Sequence, residues 1–411
     1  MYHSVQYKFI SMEKNTPLTT TTAILFAIAS GCAVANVYYA HPLLNTMSQD
    51  LHIPAADAGL IITITQTGYA AGLLLLLPLG DLFNRRKLIV TQLLLAMAAL
   101  SLVAWAPTRL FFLAGMAAVG MLAVVTQTLV AYAATLAVPS ARGRMVGLVT
   151  SGVVLGILLA RTISGTLADI AGWRAVYLFS AILMLLTAIA LFRVLPREDP
   201  DKTVTTYPKL LASVFQLLLQ EPILRTRAIL AGFIFAAFSV LWTSLVLPLS
   251  APPYEFSHTV IGLFGLIGVA GALGATKAGR LADEGRSQRT TGIALTLLLL
   301  SWIPLGFATS YLPALITGII LLDLAVQAVH VTNQSIIYQI RPESRNRLVA
   351  GYMLFYAIGS GSGSIAATTM YAHAGWTGVC ILGATISAMG LAFWAITLPR
   401  IRTHKKAIPL A

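Results

Sequence analysis

Three ionisable side chains lie deep inside long apolar runs of this sequence: Arg161, Asp323 and His330. A charge held in hydrocarbon costs several kcal/mol unless it is paired or wet, so each residue is a candidate for function. A carboxylate or an imidazole can carry a proton, and a guanidinium can hold an anion. The chemistry these residues predict is therefore proton or substrate binding inside a membrane.

Polar residues recur along one apolar segment near Asp323. Asp323, Gln327, His330 and Gln334 are spaced i, i+4, i+7 and i+11, which places them on one face of a helix. We expect this stripe to face water or substrate. His330 could act as a proton carrier or as a hydrogen-bonding group that contacts the substrate, and the sequence leaves both roles open.

Composition excludes a soluble protein of this size. Charged residues make up 10% of the 411 residues and hydrophobic residues 57%, against roughly 25% charged in soluble domains. Twelve apolar runs are long enough to cross a bilayer as helices. They are roughly 20–46, 58–81, 88–106, 110–137, 145–169, 174–195, 228–249, 259–279, 290–309, 312–339, 347–371 and 376–398.

Segment 196–227 divides the chain into an N-terminal bundle (1–195) and a C-terminal bundle (228–411). Its apolar residues from Leu210 to Leu218 recur at helical spacing, which predicts a short amphipathic helix on the membrane surface.

The net charge of +13 comes from basic clusters between spans, so it does not indicate a nucleic-acid partner. With the N-terminus inside, 24 of the 27 Lys and Arg residues lie in inside segments and two in outside loops. This split predicts an inner-membrane protein with both termini in the cytoplasm.

The two bundles repeat one another. Gly172-Trp173 precedes span six and Gly375-Trp376 precedes span twelve, 203 positions later. Gly59-Leu60 and Gly262-Leu263 are separated by the same offset. A constant offset indicates a duplicated six-helix unit, and parallel repeats suit two bundles that rock about a central site. We therefore predict an all-α membrane protein of twelve transmembrane helices in two pseudo-symmetric bundles.

Two loops resemble the signature of the major facilitator superfamily, a G-x-L-A-D-x-x-G-R-R-type loop after the second span that recurs after the eighth. They are LPLGDLFNRRK at 77–87 and GRLADEGR at 279–286. The stretches ANVYYAHPLL at 35–44, GILLART at 156–162 and VQAVH at 326–330 are similar to a bacterial branch grouped with drug:proton antiporters.

The resemblance implies gating roles for the two loops. Each loop aspartate would hold the start of a helix in the opposite half, Asp81 with span eleven and Asp283 with span five. A carboxylate at a helix N-terminus stabilises it by about 0.3–1 kcal/mol. The remaining gating candidates are Arg85, Arg86, Gly279 and Arg286, and topology anchoring is the alternative role for the basic residues.

In the family fold, spans five and ten approach each other and spans one, four, seven and ten line the cavity. The resemblance therefore implies that Arg161 and Asp323 pair in at least one state. A proton on Asp323 or an anionic substrate on Arg161 would break that pair; a permanent pair that only fixes packing is the alternative. Asn36, Tyr39 and Gln127 could supply hydrogen bonds to a ligand.

The sequence shows no nucleotide-binding loop, metal-ligand spacing or nucleophile motif. We therefore expect no enzyme activity and no cofactor, and a monomer in the bilayer. The function predicted is secondary transport of a small organic molecule, coupled to protons and directed outward. An uptake symporter or uniporter for a polar or anionic metabolite is the alternative.

Overall fold

Within the described residues, every regular element of the computed structural model is helical. The description covers residues 19–137, 142–196, 206–268, 286–338 and 345–406, together with 281, 284 and 340. The helices form the two six-helix bundles of the predicted twelve-span fold. We name the helices by span number and refer to the bundles as the first and second halves.

The first half holds spans one to six and four short segments between them. The spans are Thr20–Tyr38; Leu60–Leu75; Arg85–Ala104; Arg109–Leu122 continued by Val125–Leu136; Arg142–Ala171; and Trp173–Val194. The short segments are a helix at Leu44–Asp50 and 3-10 turns at His41–Leu43, Ala55–Asp57 and Leu77–Asp81.

The second half holds spans seven to twelve. They are Pro222–Ser244 continued by Val246–Leu249; His258–Ile267, the described part of span eight; Ser287–Leu300 continued by Trp302–Leu305; Leu312–Tyr338; and spans eleven and twelve together as Arg345–Lys406. Nine described helices are long and apolar enough to cross a membrane, and one of the nine contains both spans eleven and twelve. Spans eight and nine, with shorter described helices, complete the twelve.

Two glycines confirm the internal repeat. Gly172 joins spans five and six with φ 80°, and Gly375 joins spans eleven and twelve with φ 59°. Glycine adopts this left-handed conformation without the steric cost that a Cβ imposes. Each half therefore makes the same sharp turn at the same point of its six-helix unit.

Small residues let helices cross closely within each half. A Cβ built on Gly31 would lie 2.7 Å from the Gly152 carbonyl oxygen, where spans one and five meet. A Cβ on Gly359 would lie 2.1 Å from the Gly232 carbonyl oxygen, where spans eleven and seven meet. Gly359 of span eleven therefore permits close packing against span seven.

The halves meet at two pseudo-equivalent crossings. A Cβ on Gly59 would lie 2.3 Å from the backbone oxygen of Ser364, and a Cβ on Gly262 would lie 2.3 Å from that of Arg161. Gly59 and Gly262 are 203 positions apart, as are Arg161 and Ser364. Span two thus crosses span eleven as span eight crosses span five, and Arg161 lies at the second of these crossings.

A helix at Tyr207–Gln220 lies in the central segment, where the sequence predicts an amphipathic helix, and we call it the linker helix. Tyr207 donates a 2.7 Å hydrogen bond to the Leu75 carbonyl at the end of span two. We call the end of the molecule where this helix lies the linker side, and the opposite end, where Gly172 lies, the far side. Span seven begins at Pro222, six residues before its predicted start. Arg227, counted among the inside-loop cations in the sequence, is therefore buried within the second half.

Candidate functional site

Arg161 and Asp323 lie close together where spans five, seven and ten meet. Only 3% of Arg161 and 5% of Asp323 is exposed. Trp242 of span seven contacts both: its indole N–H donates a 3.1 Å hydrogen bond to Asp323 Oδ1, and Arg161 Cζ lies 3.8 Å from its ring centroid. Among the described residues no direct ion pair joins Arg161 to Asp323, so their pairing in at least one state stays a prediction.

Aromatic rings surround the Arg161 guanidinium. Besides Trp242, Arg161 Cζ lies 5.4 Å from the centroid of Tyr38 and 5.7 Å from that of Phe238. Tyr38 belongs to the first half, and the other two rings belong to the second. The Nε and Nη2 atoms of Arg161 are buried and have no hydrogen-bond acceptor among the described residues. Ring faces and the nearby Asp323 charge therefore stabilise this cation. We call Tyr38, Phe238, Trp242 and Asp323 the aromatic box.

A tyrosine pair crosses the interface next to the box. The hydroxyls of Tyr38 and Tyr356 share a 2.8 Å hydrogen bond between the halves. The Tyr356 ring packs edge-on against Phe235 and Tyr69, with 4.2 Å and 6.1 Å between the ring centroids, respectively. Polar contact between the halves at this depth therefore comes from neutral hydroxyls as well as from charges.

Asn36 and Tyr39, expected to bind a ligand, lie away from this cluster. Asn36 Oδ1 accepts a hydrogen bond from Ser180 of span six, and Asn36 Nδ2 lies 3.7 Å from the sulfur of Met184. Tyr39 is buried, with 2% of its surface exposed. It is the neighbouring Tyr38 that reaches the second half. Asn36 is therefore engaged in packing spans one and six in this conformation.

The polar stripe of span ten extends from the box toward the linker side. His330 Nδ1 shares a 2.9 Å hydrogen bond with the Tyr352 hydroxyl, and its ring meets Phe235 edge-on at 5.1 Å. Gln327 is half-buried between Asp323 and His330 on the same face. The stripe thus places an imidazole about two helical turns from the buried carboxylate.

Gln127, the first-half counterpart of His330, joins the cluster through a tyrosine. Its Nε2 donates a 3.3 Å hydrogen bond to the Tyr69 hydroxyl. Tyr69 in turn contacts Tyr356. Of the candidates, Arg161 therefore reaches rings of the second half, and Gln127 connects to that half through Tyr69. His330 contacts Tyr352 and Phe235 within the second half.

On the far side, the two halves are joined by a cluster of hydrogen bonds that the sequence analysis did not predict. Asp169, at the end of span five, accepts hydrogen bonds from the backbone N–H groups of His258 and Thr259 at 3.1 and 2.7 Å. It also accepts bonds from the His258 ring and the Thr259 hydroxyl. The other ring nitrogen of His258 lies 2.7 Å from the Thr46 hydroxyl. We call Asp169, His258, Thr259 and Thr46 the far-side latch.

Sequence offered one signal for this latch. Ser257 caps span eight by accepting from the backbone N–H of Val260, so a helix N-terminus could have been predicted there. Free N–H groups at such an end attract a carboxylate. The carboxylate itself comes from another span, 89 positions earlier in the chain, and sequence spacing could not identify it.

The gating candidates of the first loop engage the first half. Arg85 donates to the Gly80 carbonyl at 3.1 Å and to the Thr135 hydroxyl at 2.8 Å. Arg86 donates to the Phe192 carbonyl, and its guanidinium carbon lies 4.3 Å from the centroid of that ring. These contacts fit the anchoring role left open as the alternative. The backbone of Asp81 ends a 3-10 turn, and its side chain lies outside the description.

The second loop is described only in part. Gly279 and Asp283 lie outside the described residues. Arg286 is exposed and lies 3.6 Å from Glu284. The latch roles of Asp81 and Asp283 stay predictions.

A small cavity lies between the halves on the linker side. Its volume is about 30 Å³, enough for a water molecule and too small for an organic substrate. Its walls come from the 3-10 turn after span two, from spans three, four and eleven, and from the linker helix. They include Gly80, Arg85 and Arg347.

The family comparison agrees with this geometry. The sequence model of the family described as Major Facilitator Superfamily matches residues 26–290 and 229–410 of this chain. The chain belongs to the Major Facilitator Superfamily. It is thus a multi-pass membrane transporter, and proteins of this superfamily are generally not enzymes.

Two relatives and one solved structure illustrate the placement in this superfamily. The chain is 50% identical over 380 residues to the Escherichia coli O157:H7 protein named Uncharacterized transporter YgaY, covering 92% of this chain and 96% of the relative. It is 25% identical to the Escherichia coli K12 Inner membrane transport protein YnfM over 66% of each chain. The fold superposes on a bacterial homologue of the human lysosomal transporter Spinster, in an inward-facing and occupied conformation, with TM-score 0.76. That match covers 92% of this chain and 96% of the other at 13% identity, so it shows the fold alone.

Proposed function

We propose that this transporter moves a small organic molecule across the bacterial inner membrane by alternating access, in the efflux direction and coupled to protons. The observation that carries the proposal is the pair of buried charges at the interface: Arg161 on the first half, and Asp323 on the second, with Trp242 contacting both. Buried charges divided between two moving bodies couple a local charge change to the movement of those bodies.

Protonation of Asp323 is the coupling step we propose. The carboxylate attracts the Arg161 guanidinium, and a bound proton removes that attraction. Arg161 then loses its main electrostatic partner in the second half, and the two halves separate at lower cost. Deprotonation restores the attraction and favours closure.

The polar stripe offers a route for the proton. His330 and Tyr352 are hydrogen-bonded and lie between Asp323 and the linker side. Gln327 lies between them on the same helix face. In this proposal the linker side is the cytoplasmic side, as the distribution of Lys and Arg indicates, and both termini are cytoplasmic.

The efflux direction and the antiport mode rest on the resemblance of residues 35–44, 156–162 and 326–330 to the drug:proton antiporter-like branch. The location in the inner membrane agrees with the name of the relative YnfM, Inner membrane transport protein. We take the monomer as the working unit, with one aromatic box between its halves.

One observation favours a second candidate, an uptake symporter or uniporter for a polar or anionic metabolite. Two buried nitrogens of Arg161, Nε and Nη2, have no hydrogen-bond acceptor among the described residues. A guanidinium edge of this kind can bind a carboxylate with two parallel hydrogen bonds.

Transport in proteoliposomes tests the leading proposal. Deletion and overexpression strains screened for growth across toxic compounds and metabolites would first supply a substrate. Flux of that substrate should then follow an imposed pH gradient, and Asp323→Asn should abolish the coupled flux. Asp57→Asn, at an exposed acid, is the control and should retain it. Flux that ignores the gradient, together with an active Asp323→Asn variant, would overturn the proposal.

A further inference from the structure

The surroundings of Arg161 have the composition of a receptor for an organic cation. Three aromatic rings lie around the guanidinium, and a buried carboxylate, Asp323, accepts a hydrogen bond from one of them, Trp242. Rings and a carboxylate together bind cations through ring quadrupoles and charge. We propose that the aromatic box is a binding site for organic cations of the alkylguanidinium or quaternary ammonium class, and that Arg161 is a tethered competitor that fills the box when no substrate is present. This inference rests on the proposed transport function and names its substrate class.

The division of the box between the halves supports exchange of Arg161 for a substrate. Phe238, Trp242 and Asp323 belong to the second half, whereas Arg161 projects into the box from span five of the first. Movement of the halves away from each other would withdraw the guanidinium from these three residues. The box would then hold an unneutralised carboxylate facing two rings, and a diffusible cation would be attracted to it.

The close approach of the backbones keeps Arg161 in the box while the halves are closed. Gly262 of span eight packs against the Arg161 backbone. A Cβ on Gly265, one turn further on, would lie 3.1 Å from Arg161 Cβ and 3.3 Å from its Cδ. Span eight therefore confines the arginine stem and directs the guanidinium toward Trp242. A cation from solution can take its place only in a conformation that separates spans five and eight.

The same chemistry disfavours an anion in this position. Aromatic faces carry negative partial charge, and Asp323 carries a full one. An anion placed against the rings would be repelled by both. An anionic substrate would therefore have to bind the free edge of Arg161 outside the box, which is a different site from the one proposed here.

A rescue experiment with the full-length chain in nanodiscs tests the box. In Arg161→Ala the guanidinium is removed and the rings and carboxylate remain. We expect this variant to unfold at a lower temperature than the wild type, and millimolar ethylguanidinium or tetramethylammonium to raise its unfolding temperature and change its tryptophan fluorescence. A ligand that binds only the folded state stabilises it by mass action. Because Arg161 competes for the box, the wild type should need at least tenfold more of either cation.

Arg227→Ala is the matched control. This second buried arginine contacts Asn333 and Thr291 rather than rings, so its removal leaves a space lined by hydrogen-bond acceptors. Tetramethylammonium has no N–H donor and should not fill that space. Adding Asp323→Asn to Arg161→Ala should cancel the rescue. Arg161→Gln, neutral and closer in size, serves if the alanine variant does not fold, and we expect the same tenfold gain in affinity.

Two results would overturn the inference. One is equal rescue of the Arg161 and Arg227 variants by tetramethylammonium. The other is no rescue of either Arg161 variant by either cation. These measurements use no pH gradient, so a failure of proton-coupled transport leaves the binding result intact, and a failure of binding leaves proton coupling testable.

Discussion

Asp169 and His258 join the two halves at the far side: the carboxylate accepts hydrogen bonds from both the backbone N–H and the ring of the histidine, the latter at 2.7 Å. The first half thereby supplies a negative charge to the N-terminus of span eight in the second half. This arrangement stabilises the closed far side in the same manner as the loop latches predicted for the linker side. The two kinds of latch would alternate as the halves rock.

Asp169→Ala should open the far side. The substitution removes the acceptor for the backbone N–H groups of His258 and Thr259, and charge-assisted hydrogen bonds of this kind contribute roughly 1–3 kcal/mol. We expect the closed population to fall by about tenfold relative to the open one. Distances between spin labels at the exposed positions Asp57 and Glu255 report the change, and the long-distance population should grow.

The control for this prediction is Asp50→Ala. Asp50 accepts hydrogen bonds from Trp173 at 2.9 Å and from Arg174 at 2.6 Å, both within the first half. Its loss should leave the spin-label distances unchanged. Equal opening by both variants would show that the far-side latch has no specific part in closure.

Gly262→Ala should weaken the closed far side by steric means. A Cβ there would lie 2.3 Å from the Arg161 carbonyl oxygen, so spans five and eight must move apart. Overpacking of this kind costs roughly 1–3 kcal/mol. Thermal unfolding in detergent and the spin-label distances should both change. Gly147→Ala, at an exposed helical position with nothing within 4 Å of the added Cβ, should be neutral or slightly stabilising.

Trp242→Phe separates the two contacts of that ring. Phenylalanine keeps an aromatic face for Arg161 and removes the N–H that bonds Asp323. A buried carboxylate that loses a donor should cost roughly 1.5–3 kcal/mol, and we expect at least a tenfold loss of transport rate. Trp302→Phe removes a 3.0 Å bond to Ser387 within the second half. It should lower stability by only about 1 kcal/mol and leave transport intact; equal losses would count against a role for Trp242 in coupling.

We predict that Asn333→Ala destabilises the protein more than Arg227→Met does, although it removes fewer atoms. Arg227 is fully buried, and its Nη1 donates to Asn333 at 3.2 Å and to Thr291 at 3.4 Å. Asn333→Ala leaves the guanidinium with one acceptor fewer, whereas Arg227→Met removes the buried charge altogether. We expect the unfolding temperature in detergent to fall further in Asn333→Ala. The opposite order would mean that the charge of Arg227 is itself stabilising.

The helical spans and their duplication were predictable from the sequence because the hydrocarbon of a bilayer restricts which residues and backbone structures can cross it. Backbone groups in lipid must bond within a helix, so apolar runs of sufficient length read directly as spans. Gly172 and Gly375 recur at one offset because both halves need a left-handed turn at the same point. Arg161 and Asp323 became candidates for a similar reason, since a charge in an apolar run must be paired or wet.

Tertiary structure decided which neighbours those residues have. Tyr38 and Tyr39 point in directions about 100° apart on one helix, and only the rotation of span one, set by packing against distant spans, chooses Tyr38 for the interface. Trp242 lies in an apolar run that gives no sign of its contacts with two charges. Asp169 meets His258 because spans five and eight cross, and Arg227 is buried because span seven begins at Pro222. Periodicity specifies a helix and its faces, whereas the partner of each face depends on contacts between segments far apart in the chain.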